Sequence, residues 1–350
     1  MIDFIFTLDY EIYGNGTGSL TELVYEPAER LRRLFDKWNA RFVAFVEVAE
    51  FEKIAQYRTD SAINLVREQI FDLHREDHEI ALHLHPQWSH ARHAQGAWHL
   101  DETEYNLCTL PRERIAEIVE GALDHLRTLV QDPGFTPLSF RAGNWLFQPT
   151  QTAANVLAQN GIRVDSSVFR GGVQRSRRLD YRPAMANGDS WFFSDDVNTP
   201  NDQGPWLEIP IYTEMVPFWR MSTSKRLGMN SGMGIAGQSM VRKWNRVRDL
   251  ARFRYPLKLD FCRMTLEELT SMVDNIVRSH REEGICLPIV AIGHTKDLVD
   301  FHTVDAFLAY LHERDITVST FADVYPKLRR ATVRSENNSN HAASTLAGKV

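Results

Sequence analysis

An α/β fold with parallel strands rolled into a TIM-like barrel is the architecture this sequence predicts. Eight short apolar runs recur between Ile2 and Phe321, and amphipathic stretches of helical period separate most of them. Side chains that do chemistry gather where the apolar runs end. Alternating strand and helix implies parallel βα units, and in a barrel of such units the active site lies at the C-terminal ends of the strands.

The runs, in order, are Ile2 to Leu8, Phe42 to Val48, Glu79 to His85, Pro137 to Arg141, Ile162 to Val168, Leu207 to Tyr212, Pro288 to Gly293 and Ile316 to Phe321. The first carries an acid at position 3 and no basic stretch before its apolar residues, so it reads as a core strand and not as a signal peptide. Between strands, Glu26 to Trp38 places Leu31, Leu34, Phe35 and Trp38 on one stripe. Arg112 to Val130 does the same with Ile115, Ile118, Val119, Ala122, Leu126 and Leu129. Gln148 to Asn160 opens on Pro149 and stops at Asn160-Gly161, good start and stop signals for a helix.

Two stretches break the alternation. Phe169 to Gln203 is rich in Arg, Gly, Asn and Asp and reads as an excursion over the active-site face. Trp219 to Lys258 carries ten Lys and Arg residues against Asp249 alone. That basic stretch is read either as a solvated helix face or as a peripheral contact for an anionic membrane or glycolipid, anchored by Phe218, Trp219 and Trp244. The expected organisation is one barrel over residues 1–328 with insertions near 169–203 and 219–262, then a disordered tail over 329–350.

Composition narrows the function. At 350 residues, 43% hydrophobic and 25% charged, the chain is an ordinary globular one. A net charge of -6 and a pI near 6.1 set nucleic acid aside as partner. Cys108, Cys262 and Cys286 are scattered and form no CxxC, so neither a disulfide framework nor a thiolate zinc site is implied. No run is long enough to cross a membrane, and the expected compartment is the cytoplasm. Gly14-Asn15-Gly16-Thr17-Gly18 follows a strand, but Ser19 stands at the sixth position and no helix opens until about Pro27, so it reads as a rim loop.

Asp9 and Glu11 at the end of the first run, and His83 and His85 at the end of the third, each keep the i, i+2 spacing that puts two strand side chains on one face. Singly, the acids equally suit a loop cap and the histidines a hydrogen-bonded core pair. Together they make a divalent-metal site of N and O ligands, with zinc foremost and Co2+, Mn2+ or Ni2+ as alternatives. Arg141 ends another run and is placed to pair with a catalytic carboxylate, with Asn144 and Trp145 behind it as substrate contacts. Asp165 and His294 end two further runs.

Taken in this order, the pieces resemble the five motifs of the polysaccharide deacetylase family, metal-dependent carbohydrate esterases with a distorted, TIM-like (β/α)7 barrel. The resemblance spans roughly Ile2 to Tyr325. It implies that Asp9 is the general base and that Glu11, displaced by one residue, binds the metal. The family's second motif is His-x-x-x-His; His83 matches its first histidine, but Gln87 stands at the second, leaving His85 as the replacement. Arg141 and Trp145 match the third motif without its usual proline, Asp165 the fourth as the group that tunes the histidine, and His294 the fifth as general acid.

The activity implied is hydrolysis of an N-acetyl or related acyl group from an amino sugar in a glycan, glycolipid or nucleotide-sugar precursor. Two alternatives stay open: an amidohydrolase-like enzyme cleaving another carbon–nitrogen bond, whose His-x-His belongs on a first strand, and a catalytically dead barrel that binds glycans.

Overall fold

The N-terminal strand β1 (Ile2–Tyr10) is buried along almost its whole length, with Phe4, Ile5, Phe6, Leu8 and Tyr10 all in the core. A strand apolar on both faces is what a parallel sheet covered by helices requires. Six more strands run parallel with it: β2 (Val43–Glu47), β3 (Glu79–Leu84), β4 (Ser139–Ala142), β5 (Val164–Asp165), then, after β6 (Trp191–Phe193), β7 (Trp206–Glu208) and, after the hairpin of β8 (Thr213–Val216) and β9 (Tyr255–Lys258), β10 (Leu287–His294). Their order in the sheet is β6-β7-β5-β4-β3-β2-β1-β10, and β11 (Thr317–Val318) also pairs with β1. This computed structural model describes residues 1–221, 223, 225–226, 254–280 and 286–331.

The curl closes through single bridges. Ile211, just past β7, bridges Val290 of β10, and the Tyr212 amide donates to the Val290 carbonyl at 3.0 Å. Asp260 bridges Ile292 in the same way. Counting β7 through this extension and setting aside the two-residue β11, which also runs parallel to β1, seven parallel strands among the described residues surround one core, the (β/α)7 arrangement expected. β6 lies antiparallel on β7 as an edge.

Helices cover the outside: α1 (Glu26–Lys37), α2 (Val48–Tyr57), α3 (Ile63–Arg75), α4 (Arg112–Val130), α5 (Thr150–Gln159), α6 (Leu266–Ser279) and α7 (Phe301–Glu313). The three helices read from sequence fall within about two residues of their expected ends, the scatter normal for helix boundaries. Several strand readings need shortening, Leu207 to Tyr212 ending at Glu208 and Ile316 to Phe321 keeping only Thr317–Val318 among them. The run expected to reach Val48 stops at Glu47, because α2 begins there and the Glu47 carboxylate turns to accept the His85 amide at 2.6 Å. The run Ile162 to Val168 keeps two strand residues, since Ser166 and Ser167 use their hydroxyls on neighbouring groups.

The 169–203 excursion does lie against the site. Tyr181 donates to the Trp145 carbonyl at 2.7 Å and Gln174 to the Asn144 carbonyl at 3.2 Å. The basic stretch falls largely outside the described residues, Trp244 included. Of its described cations, Lys225 pairs with Asp300 and Arg226 with Glu268, while Trp219 is 75% exposed. Of the tail expected from 329, the first residues belong instead to a terminal helix over 321–331; the rest of that stretch lies outside the described residues. No described helix is long and apolar enough to cross a membrane.

Candidate active site

Strand register brings the chemistry together. In parallel neighbours, paired residues stand side by side on one face, so Asp9 of β1 lies next to His294 of β10, and Glu47 of β2 next to His83 of β3, which lies next to Arg141 of β4. All are at or near the C-terminal ends of their strands. Glu11 and His85 follow just beyond the ends of β1 and β3.

Asp9 is fixed from one side. Its Oδ1 accepts from Arg141 Nη1 at 2.6 Å, and both groups are essentially buried. Arg141 is in turn held by the Ser166 carbonyl at 2.9 Å and the Thr7 hydroxyl at 2.9 Å, with its guanidinium 4.1 Å from the Phe45 ring centre. Burial works against the Asp9 charge, yet the adjacent Arg141, His83 and His294 hold its carboxyl below the usual range. Its other oxygen faces His294 Nε2 at 3.4 Å.

Glu11 keeps different company. Lys296 Nζ donates to its Oε1 at 2.7 Å and to the Ile12 carbonyl at 3.0 Å. Its Oε2 faces His85 Nε2 at 3.1 Å and His83 Nε2 at 3.6 Å. Despite burial, Lys296 and His85 hold the Glu11 carboxyl well below its ordinary value. Burial likewise opposes a charge on His83, but Asp9 and Glu11 outweigh it and raise its pKa to about 9.

These donors fit a divalent cation. His83 Nδ1 lies 2.8 Å from the Arg141 carbonyl, an acceptor only, so that nitrogen carries the ring proton and Nε2 presents a lone pair. A bare nitrogen facing a carboxylate needs a positive charge between them, either a proton or a metal ion. For a ligand bond of about 2.1 Å, donors around an ion stand roughly 3.0–3.4 Å apart; of the separations from Glu11 Oε2, 3.1 Å lies within that range and 3.6 Å just above it. Glu11, His83 and His85 therefore form the candidate metal group, and Asp9, Glu11 and His294 form an adjoining one.

Trp145 stands beside His294, ring centres 6.2 Å apart, with Lys258 Nζ 3.1 Å over its ring. Burial drops the Lys258 pKa to about 7. The Trp145 turn is tightly built. A Cβ at Gly143 would meet the Leu84 carbonyl at 2.5 Å and the His85 ring at 2.8 Å, so no larger residue fits without displacing that histidine's surroundings. Asn144 and Trp145 follow with φ of 54° and 60°, in the left-handed region.

Two assignments are corrected. Asp165 does not reach His294. It accepts from Ser167 at 2.6 Å and stands beside Glu208, its register partner on β7, while burial pushes both carboxyls up. The acid nearest His294 Nδ1 is Asp297, at 3.8 Å, itself tied to Arg263 at 2.8 Å. Burial lowers the His294 pKa from its ordinary value, with the neighbouring Asp9 and Glu11 opposing the shift. Asn144, placed as a substrate contact, instead turns its amide onto His85 Nδ1 at 3.2 Å.

Sequence reading passed over Glu47, Glu50, Glu208, Lys258, Lys296 and Asp297. Glu47 offered a signal, since it ends an apolar run as Asp9 does. Lys296, two residues after His294, offered only its spacing.

No protein-family model matches the sequence, and no curated protein matches it significantly. Solved structures do. A protein of Mycobacterium smegmatis assigned as a polysaccharide deacetylase is similar at 14% identity over 94% of this chain and 91% of its own, with a TM-score of 0.54. The 4-alpha-glucanotransferase of Thermococcus litoralis is similar at 12% identity over 93% of this chain and 40% of its own, with a TM-score of 0.52. The class defined is the (β/α)7 barrel of the deacetylase type. At such identities the likeness establishes that fold, and the two structures show that it serves more than one carbohydrate chemistry.

Proposed function

We propose that the chain is a divergent member of the polysaccharide deacetylases, a metal-dependent hydrolase that removes an acyl group from the nitrogen of an amino sugar. One observation carries this reading: two imidazole Nε2 atoms and a carboxylate oxygen converge within 3.6 Å beside an Asp9–Arg141 pair. Amide hydrolysis uses a Lewis acid and a water, which such a cluster of nitrogen and oxygen donors suits.

Glu11, His83 and His85 would hold the cation, Zn2+ foremost, whose part is to polarise the acyl carbonyl and acidify a water. The protein's own groups do the rest. Arg141 keeps Asp9 ionised and aimed, so its free Oδ2 accepts the water proton. His294 Nε2, 3.4 Å from that oxygen, relays the proton to the departing sugar nitrogen. The water oxygen forms the new bond to the acyl carbon, the carbon–nitrogen bond breaks, and the amine leaves neutral. Trp145, with Lys258 over one side of its ring, borders the space beside His294 in which the sugar would sit.

Metal analysis of the purified protein, together with acetate release from oligomers of N-acetylglucosamine before and after reconstitution with Zn2+ or Co2+, tests the reading. About one equivalent of metal and metal-dependent acetate release are expected. Protein that takes up no metal and releases no acyl group would overturn it.

A further inference from the structure

Gln87 stands where the resemblance leads one to expect a histidine. It does not face the metal group. It is 2% exposed, and its amide nitrogen lies 3.3 Å from His85 Nδ1, on the ring edge opposite Glu11. Asn144 brings a second amide nitrogen to the same atom at 3.2 Å, across the close approach that Gly143 permits. The other end of the Gln87 amide, Oε1, is buried with no hydrogen-bond partner among the described residues.

With both amide nitrogens on Nδ1, that ring atom accepts, and the His85 proton sits on Nε2, pointing at Glu11 Oε2 3.1 Å away. A ring in this tautomer offers no lone pair to a cation. Half a turn of the Gln87 amide, with the Asn144 amide turning likewise, reverses the situation: Gln87 Oε1 then accepts from Nδ1–H and Nε2 is bare. The ring's charge is unchanged, one proton having moved from Nε2 to Nδ1. His83 has no such freedom, because a backbone carbonyl fixes its Nδ1–H permanently.

We propose that Gln87 is a positioning residue that selects the tautomer of His85, rotating its amide to convert that histidine from a hydrogen-bond donor to Glu11 into a metal ligand. The side chain replaces a lost ligand by acting behind the remaining one. Glutamine suits this role because one amide carries both a donor and an acceptor, and outer partners of this kind change metal affinity by roughly 10–100-fold. The inference deepens the proposed function and rests on it for its metal arm only.

Two measurements on the full chain test it. In 15N-histidine NMR of the metal-free protein, His85 should carry its proton on Nε2 in the wild type and on Nδ1 in Gln87→Glu, whose side chain only accepts. In competition with a chelating indicator for Zn2+, Gln87→Leu should bind about 10–100-fold more weakly, while Gln87→Glu retains the affinity. An unchanged His85 tautomer in Gln87→Glu, or wild-type Zn2+ affinity in a folded Gln87→Leu, overturns the inference. If the wild type binds no Zn2+, the proposed function falls and the NMR comparison still decides this one.

Discussion

Asp9 and Glu11 leave the same strand two residues apart, yet they are neutralised by different kinds of charge. Asp9 lies against Arg141, a guanidinium that stays charged at any accessible pH and is itself tied to Ser166 and Thr7. Glu11 lies against Lys296 and two imidazoles, groups whose positive charge can be lost or exchanged for a metal ion. One side of the site is thus permanently set and the other is adjustable. That division suits a hydrolase whose proton acceptor must be ready while its cation comes and goes.

The largest test of this contrast is Asp9→Asn. It should lower kcat by about 10²–10⁴-fold, the range for losing a general base, with metal stoichiometry retained. Loss of bound metal together with activity in Asp9→Asn would erase the distinction between the two carboxylates. Next is Arg141→Leu, which strands the Asp9 charge in the core. Urea unfolding should show a loss of about 3–5 kcal/mol, the cost of breaking a buried pair from one side, and a loss near zero would mean that Asp9 is neutralised elsewhere.

The adjustable side predicts a pH effect of intermediate size. In metal-free protein the His83 pKa is about 9, against about 6.5 unfolded. Between these values the folded ring holds a proton that the unfolded one has lost. Stability is therefore complete below about pH 6.5 and falls as pH rises through about 9, by an amount on the order of 3 kcal/mol. Saturating Zn2+ should flatten this slope, as should His83→Ala; a slope that persists in both would point to another group. The smallest effect is expected for Lys296→Met. Without the ammonium at 2.7 Å, Glu11 is freer to bind a cation, and titration calorimetry should find metal affinity raised about tenfold, the order of one screened charge interaction.

The same contrast marks what could be read from sequence. Asp9, Glu11, His83, His85, Arg141 and His294 were legible because strand alternation and run ends fix which side chains reach the barrel mouth. Strand ends report height, not neighbours. Asp165 was assigned to His294 by its place in the order of motifs, whereas β5 runs beside β7 and so delivers Asp165 to Glu208. Lys296 and Asp297 lie beyond a strand end, in a 3-10 turn over Thr295–Asp297 that gives them no periodic signature. Gln87 read as a missing ligand because a motif records which residue is absent and not what its substitute touches. The barrel itself was legible from the spacing of apolar runs. Its closure was not, since single bridges at Ile211 and Asp260 leave no sequence period.

The Asp9–His294 pairing in β1 and β10 also governs when the site can exist during folding. These residues are 285 positions apart, and Arg141 joins Asp9 across a separation of 132. Contacts so distant along the chain form late, because long loops must close first. The first 142 residues can bring Asp9, the histidine pair and Arg141 onto four adjacent strands, but only the docking of β10 delivers His294 and Lys296. Catalytic competence should therefore appear as the final event of refolding, after most helical signal has returned, and a chain still emerging from the ribosome would carry the metal-binding groups well before it could use them.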